Sequence, residues 1–383
     1  MKKSFIFGAA LFACALGFQS CSDVDNPVPT DEPLVAEIKA GTDLAVLADK
    51  YAEDGVLTLP AGAEVTLKDA FEVPAALTIV GDEAQPAKVK LTGEKAGFVI
   101  ANDFVLKNIE FDCAASNEAF IKFASAPELE YKTVNAWNTD YHFYLIDNIQ
   151  IVNCKLDNVN SFVMTSGKME DNVGAWFAEN VLVDNCIVHL TTTANNTNNA
   201  YFYFYDASGY VKELTVKNST FYNTTDFGFR YFVRYGGFGQ TNAVEAYGWA
   251  DNTLAYENCT FYNVCQNDGQ WGNYNGIYRA ATSNFVMKNN IFWNCSTSGS
   301  VPRRFLQGRG WGADATNVVF LNNTYMKKEV DEEGNATFQD PQNYDVSGTD
   351  IKEDPKFADP ANADFHISGA KQVELKTGDP RWL

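Results

Sequence analysis

One pattern recurs seven times along the chain: apolar, any, apolar, any, Asn, any, any, apolar. The first copy, Phe104-Val-Leu106-Lys-Asn108, leads to Phe111, and the second, Ile149-Gln-Ile151-Val-Asn153, leads to Leu156. The other copies centre on Asn185, Asn218, Asn258, Asn289 and Asn322, and the intervals run 45, 32, 33, 40, 31 and 33 residues. Alternating apolar positions put one face of a strand into a core. The phase then shifts by one residue at the asparagine, which requires a sharp bend. Asn is the non-glycine residue that best tolerates the left-handed backbone such a bend needs. Each copy therefore reads as strand, bend, strand, and each interval fits one coil of three short strands plus loops. A single coil cannot bury its own apolar face, so successive coils must stack with like side chains in columns. Asn153, Asn185, Asn218, Asn258, Asn289 and Asn322 are expected to form a ladder whose side chains bond to neighbouring backbone.

The residue after the bend is Cys154, Cys186, Ser219, Cys259, Asn290 or Asn323. These cysteines fit as small buried fillers, with a disulfide such as Cys259–Cys265 left open as the alternative. The pattern resembles the pectate-lyase-like β-helix over roughly residues 55–330. That resemblance implies an all-β, right-handed parallel β-helix, a solenoid with an asparagine ladder along one tight bend. It speaks to fold and not to activity.

Outside the repeat, Thr42–Ala52 predicts a short amphipathic helix capped by Thr42 or Asp43, a lid for the first coil. Residues 55–60, 64–68 and 77–81 are expected as strands of that coil. From Asp331 the repeat gives way to Asp-Pro turns between single aromatics, expected to fold back over the last coil as a C-terminal capping segment (331–383). The β-helix domain with its N-terminal cap is assigned to residues 34–330.

The first residues have the layout of a secretory signal: Lys2 and Lys3, an apolar run from Phe5 to Leu16, then Cys21. The run is far shorter than the ~20 residues a spanning helix needs. A signal peptide over 1–20 and a tether over 21–33 are expected. Phe18-Gln19-Ser20-Cys21 resembles a lipobox, which implies lipidation at Cys21. Ser22-Asp23-Val24-Asp25 resembles the export signal of Bacteroides-type surface lipoproteins, which implies an outer-membrane, surface-exposed location.

Without Lys2 and Lys3, 27 basic side chains face 49 acidic ones, a formal charge of −22, which argues against nucleic acid as a partner. His142, His189 and His366 are scattered and no Cys-x-x-Cys pair occurs, so no metal site is assigned.

A third set of strands is expected at 119–124, 161–165, 201–205, 230–235, 276–280 and 304–308. In the resembling family this position forms the wall of the substrate groove. Strict alternation puts Arg230, Phe232 and Arg234 on one outward face, and stacking brings Lys122, Arg279 and Arg304 into neighbouring rungs. Trp249, Trp271, Tyr274 and Trp311 add aromatic platforms. Arginine pairs with carboxylates and sulfates through two hydrogen bonds, so uronate-containing or sulfated polysaccharide is the expected partner. The competing reading has these arginines paired with Asp206, Asp226, Glu245 or Asp268 to hold loops.

A lyase would need a base and a cation at the uronate carboxylate. Lys122, Arg234 and Arg279 could be cast there, with Asp206 or Asp268 as a calcium ligand. A glycosidase would need two carboxylates across a groove. No catalytic residue or cofactor is assigned, and calcium enters only with the lyase. The expectation is a glycan-binding surface lipoprotein, with a β-helix lyase or hydrolase and a structural adhesin as the alternatives.

Overall fold

All seven bend asparagines adopt left-handed backbone, with φ between 49° and 56°. The computed structural model describes residues 38–39, 41–124, 132–136, 139–166, 173–193, 196–204, 210–235, 248–249, 251–266, 269, 271, 273–274, 283–297, 299–306, 317–341 and 343–383. The signal, Cys21 and tether lie outside them.

The strands before the bends, from Phe104–Lys107 to Val318–Leu321, join into one sheet, and those after the bends, from Ile109–Asp112 to Thr324–Val330, into a second. A third sheet holds Ala70–Glu72, Gly97–Ile100, Ile121–Phe123, Met164–Thr165, Asn196–Phe204, Phe229–Tyr235 and Asn273–Tyr274. Pairing between successive coils is parallel and follows the repeat: Ile149 lies opposite Phe104 and Val181, and Leu214 opposite Val181 and Leu254. The fold is a parallel β-helix with its apolar columns inside. One such column stacks Phe221, Phe261, Phe292 and Tyr325 at centroid distances of 5.8, 5.0 and 5.7 Å.

The asparagine ladder exists, but its bonds differ from the expectation. Five of the six side-chain amides donate to the carbonyl of the preceding asparagine side chain and not to backbone, while Asn218 donates to the carboxylate of Asp184. Asn153 reaches Asn108 at 2.8 Å, Asn185 reaches Asn153 at 2.9 Å, and Asn258 reaches Asn218 at 3.1 Å. Asn289 and Asn322 continue it at 3.0 and 3.2 Å. Rungs about 4.8 Å apart let a primary amide, donor and acceptor at once, link head to tail.

Cys154, Cys186 and Cys259 lie directly behind the ladder; all six described cysteines are free and buried, so Cys259 and Cys265 are not joined. Burial in an apolar interior pushes the Cys154 thiol up to about 12, where it behaves as a small apolar group. Asn290 and Asn323 occupy the same column and stay satisfied by donating to the carbonyls of Tyr256 and Met287, each at 2.8 Å.

Helix α1, Leu44–Tyr51, caps the start, with Asp43 accepting from the Ala45 amide and Leu44, Leu47 and Ala48 buried. Strand Leu77–Val80 pairs with Val56–Thr58, so it opens the second coil and does not belong to the first. The expected strand at 304–308 is also corrected. Helix α2, Val301–Leu306, stands there, with Pro302 in a first turn where a missing N–H costs no helical bond. Gln339 accepts the Val301 amide at 2.8 Å. Phe305 packs against Tyr256, Phe285 and Phe320.

The C-terminal segment folds back over more than the last coil. Helix α3, Ala370–Leu375, and residues 376–383 run down the flank of the solenoid as a strap. Gln372 reaches Thr324, the Gly378 amide reaches the Asn289 carbonyl, and Arg381 reaches Asn185.

Candidate functional site

The third-sheet register puts Lys122, Thr165, Tyr203 and Arg234 opposite one another on successive strands. Lys122 and Arg234 are thus three strand steps apart, roughly 14 Å. Beside this column, Tyr231 lies opposite Ala200, and Ala200, Tyr203 and Tyr231 form a cluster of their own with Phe162, separate from the main core.

The arginines are held on this cluster. The Arg234 guanidinium sits over the rings of Tyr231 at 5.0 Å and Tyr203 at 5.7 Å, and Arg230 sits over Tyr231 at 5.3 Å. Contacts of this type contribute about 0.5–2 kcal/mol each. Arg234 Nη1 also donates to the Asn198 carbonyl. Phe162 lies against Tyr203 at 5.3 Å and Phe229 at 5.5 Å, both tilted. Lys122, Arg230 and Arg234 are each partly buried, their charges fixed in place by the rings beneath two of them.

Phe232 does not share this face. Phe232 and Val233 both enter the core at 0% exposure, so the strict alternation assumed from the sequence breaks where the strand turns. The outward residues are Arg230, Tyr231 and Arg234. Phe232 packs on Trp271 at 4.9 Å, and Trp271 is itself fully buried with Nε1 donating to the Cys295 carbonyl at 3.0 Å. Neither can act as a sugar platform. Trp249, 8% exposed, packs on Phe177 and Tyr210 against the first sheet, with Lys212 Nζ 5.5 Å from its ring. Arg304 is buried on α2. Arg279, Trp311, Asp206, Glu245 and Asp268 lie outside the described residues, as do the side chain of Tyr274 and the strand expected at 276–280.

Of the residues singled out by sequence, the structure therefore brings Lys122, Arg230 and Arg234 onto one face. Sequence reasoning missed Tyr203 and Tyr231, the rings that carry the arginines, and Phe162, which packs against Tyr203. The available signal was the i, i+3 pair Tyr231 and Arg234, hidden by the assumption of a period of two. Among the described residues no group of three or more His, Cys, Asp or Glu side chains is placed to hold a metal ion.

Two family models match the chain. Residues 63–224 match a domain of unknown function, DUF4957, and residues 254–382 match another, DUF5123. No curated protein and no solved structure matches. The two matched regions are parts of one continuous solenoid, since Leu214 in the DUF4957 region pairs with Leu254 in the DUF5123 region. Arg230, Tyr231 and Arg234 fall between them.

Proposed function

We propose that this protein is a polysaccharide-binding β-helix, displayed on the outer membrane by a lipid on Cys21, which takes an acidic glycan along the outer face of its third sheet. The carrying observation is the Arg234 guanidinium held over Tyr203 and Tyr231, with Arg230 beside it and Lys122 in the same column. A guanidinium fixed on an aromatic face has lost side-chain freedom in advance, so less entropy is lost when it pairs with a carboxylate or sulfate. Basic groups gathered in one column of a chain of net charge −20 oppose the repulsion that the rest of the surface exerts on a polyanion. A solenoid suits a polymer because its columns repeat along one axis. The resemblance to pectate-lyase-like proteins, whose groove wall occupies this position, supports the same reading.

The experiment is calorimetric titration of the soluble chain from residue 34 with polygalacturonate, alginate, chondroitin sulfate and neutral dextran. Binding of at least one acidic polymer, weakened by added salt and about tenfold or more by Arg234→Ala, is expected. Affinity for none of the acidic polymers, or equal affinity for dextran, would remove the proposal.

A further inference from the structure

The outer face of the second sheet carries a different arrangement. The residue four places after each bend asparagine falls into one column: Asp112, Asp157, His189, Tyr222, Tyr262, Trp293 and Met326. From Tyr222 to Trp293 the column is aromatic and meets the C-terminal segment ahead of the strap, Phe365 touching Tyr222 at 5.3 Å and Tyr262 at 5.4 Å. The lower part is charged and opens into a surface hollow lined by Lys88, Lys90, Glu110, Asp112, Lys155 and Asp157.

His189 stands where the two parts meet. Its Nδ1 lies 2.6 Å from Asp157 Oδ1 and its Nε2 2.8 Å from Thr224 Oγ1. The imidazole is parallel to the Tyr222 ring, 4.5 Å away and 1° from coplanar, which fixes its plane. Burial works against the Asp157 charge, but the hydrogen bond from His189 and the positive charge of Lys155 outweigh it and hold the carboxyl below its ordinary value. An ionised carboxylate on Nδ1 keeps the imidazole proton there. Nε2 is then left as an acceptor for the Thr224 hydroxyl. Thr224 is exposed and β-branched, so its χ1 is restricted.

We propose that Asp157, His189 and Thr224 form an acyl-transfer site for esters of carbohydrate hydroxyl groups. Thr224 Oγ1 attacks the ester carbonyl while its proton passes to His189 Nε2. The tetrahedral intermediate collapses, the C–O bond to the alcohol breaks, and the leaving alkoxide takes that proton. Water then attacks acyl-Thr224 with His189 again as base, releasing the carboxylic acid and restoring the hydroxyl, so that ester and water become acid and alcohol. Asp157 orients the imidazole and stabilises its protonated form. The carbohydrate part of this substrate class rests on the glycan reading above; the hydrolytic chemistry does not.

The three residues include no oxyanion donor, so the test uses activated probes: p-nitrophenyl acetate for turnover and a fluorophosphonate for labelling, on the soluble chain from residue 34. The expected result is a phosphonyl adduct on the peptide containing Thr224 and a burst of nitrophenol. Thr224→Ala and His189→Gln should each lose the adduct and slow release about tenfold or more. Asp157→Asn should slow labelling, and Thr224→Ser should retain it. An adduct only on other residues, or equal release by Thr224→Ala, overturns the proposal. Acidic-glycan affinity measured on the same samples separates the two readings. Binding without the Thr224 adduct sinks the acyl-transfer site alone, and the adduct without binding sinks the glycan reading alone.

Discussion

Arg381 Nη2 donates to Asn185 Oδ1 at 2.6 Å, so a side chain near the C-terminus completes a rung of the ladder 196 residues earlier. The bond has a visible consequence. Asn218, which the pattern of the other rungs would direct to Asn185, turns instead to Asp184 Oδ1 at 2.8 Å. Arg381 belongs to the DUF5123 region and Asn185 to the DUF4957 region, and the strap thus ties the two regions together. Asp379 anchors it, fully buried, accepting from Thr220 at 2.8 Å and from Arg381 Nη1 at 2.8 Å, with its amide donating to Thr260 at 3.0 Å.

Replacing Arg381 by Ala should release the strap. It removes two bonds to Asn185 and leaves the buried Asp379 carboxylate without its cation, a loss of about 2–3 kcal/mol. Gly378→Ala should act in the same direction through space. At φ +102° an added Cβ would lie 2.9 Å from methyls of both Ile291 and Ile367. Limited proteolysis checks both, with cleavage between residues 370 and 383 expected to accelerate at least tenfold while the rest of the chain stays intact.

The strap should hold more firmly in mild acid than at neutral pH. Burial raises the Asp379 carboxyl above its ordinary value, more than Arg381 and the local hydrogen bonds lower it. The docked state therefore binds a proton more tightly than the released one. Stability from this group is complete below the ordinary carboxylate value and is lost as pH rises through the raised one. Amide-exchange protection factors at Gly378 and Asp379 should fall across that window in the native chain. They should become flat in Asp379→Asn.

An interior rung separates backbone strain from hydrogen bonding. Asn258 sits at φ 54°, donates to Asn218 and accepts from Asn289. Asn258→Ala loses both bonds and keeps the left-handed conformation, at a cost of about 2–4 kcal/mol. Asn258→Gly loses the bonds but relaxes the backbone. Urea unfolding should find the glycine variant the more stable by about 1 kcal/mol.

These residues also show how far the sequence could be read. The bend asparagines were legible because a phase shift between two alternating strands has few backbone solutions, and the coil stacking followed from it. Phe232 was misplaced because a strand turning a corner sends consecutive residues inward, which an assumption of strict alternation cannot represent. Arg304 was misplaced because a helix and a short strand share apolar runs, and Pro302 was the discriminating residue. The relay of Asp157 and His189 was open to the same repeat logic, since both stand four residues after a bend asparagine. Thr224, two residues beyond that column, and the course of the strap depend on long-range packing that no local pattern encodes.

The anchor has its own check. Cys21→Ala in the full-length chain should abolish incorporation of labelled palmitate and move the protein from the membrane fraction to the soluble one, because acyl chains supply the membrane affinity. Unchanged membrane association in that variant would contradict the anchor.

The glycan face is tested most directly by hydrogen–deuterium exchange with and without a bound acidic oligosaccharide. Added protection is expected only at residues 121–123, 162–165, 198–204 and 229–235, where Lys122, Phe162, Tyr203, Tyr231 and the two arginines stand. Protection confined instead to the second-sheet face at 110–112, 155–157 and 187–189, with 229–235 unchanged, would contradict it.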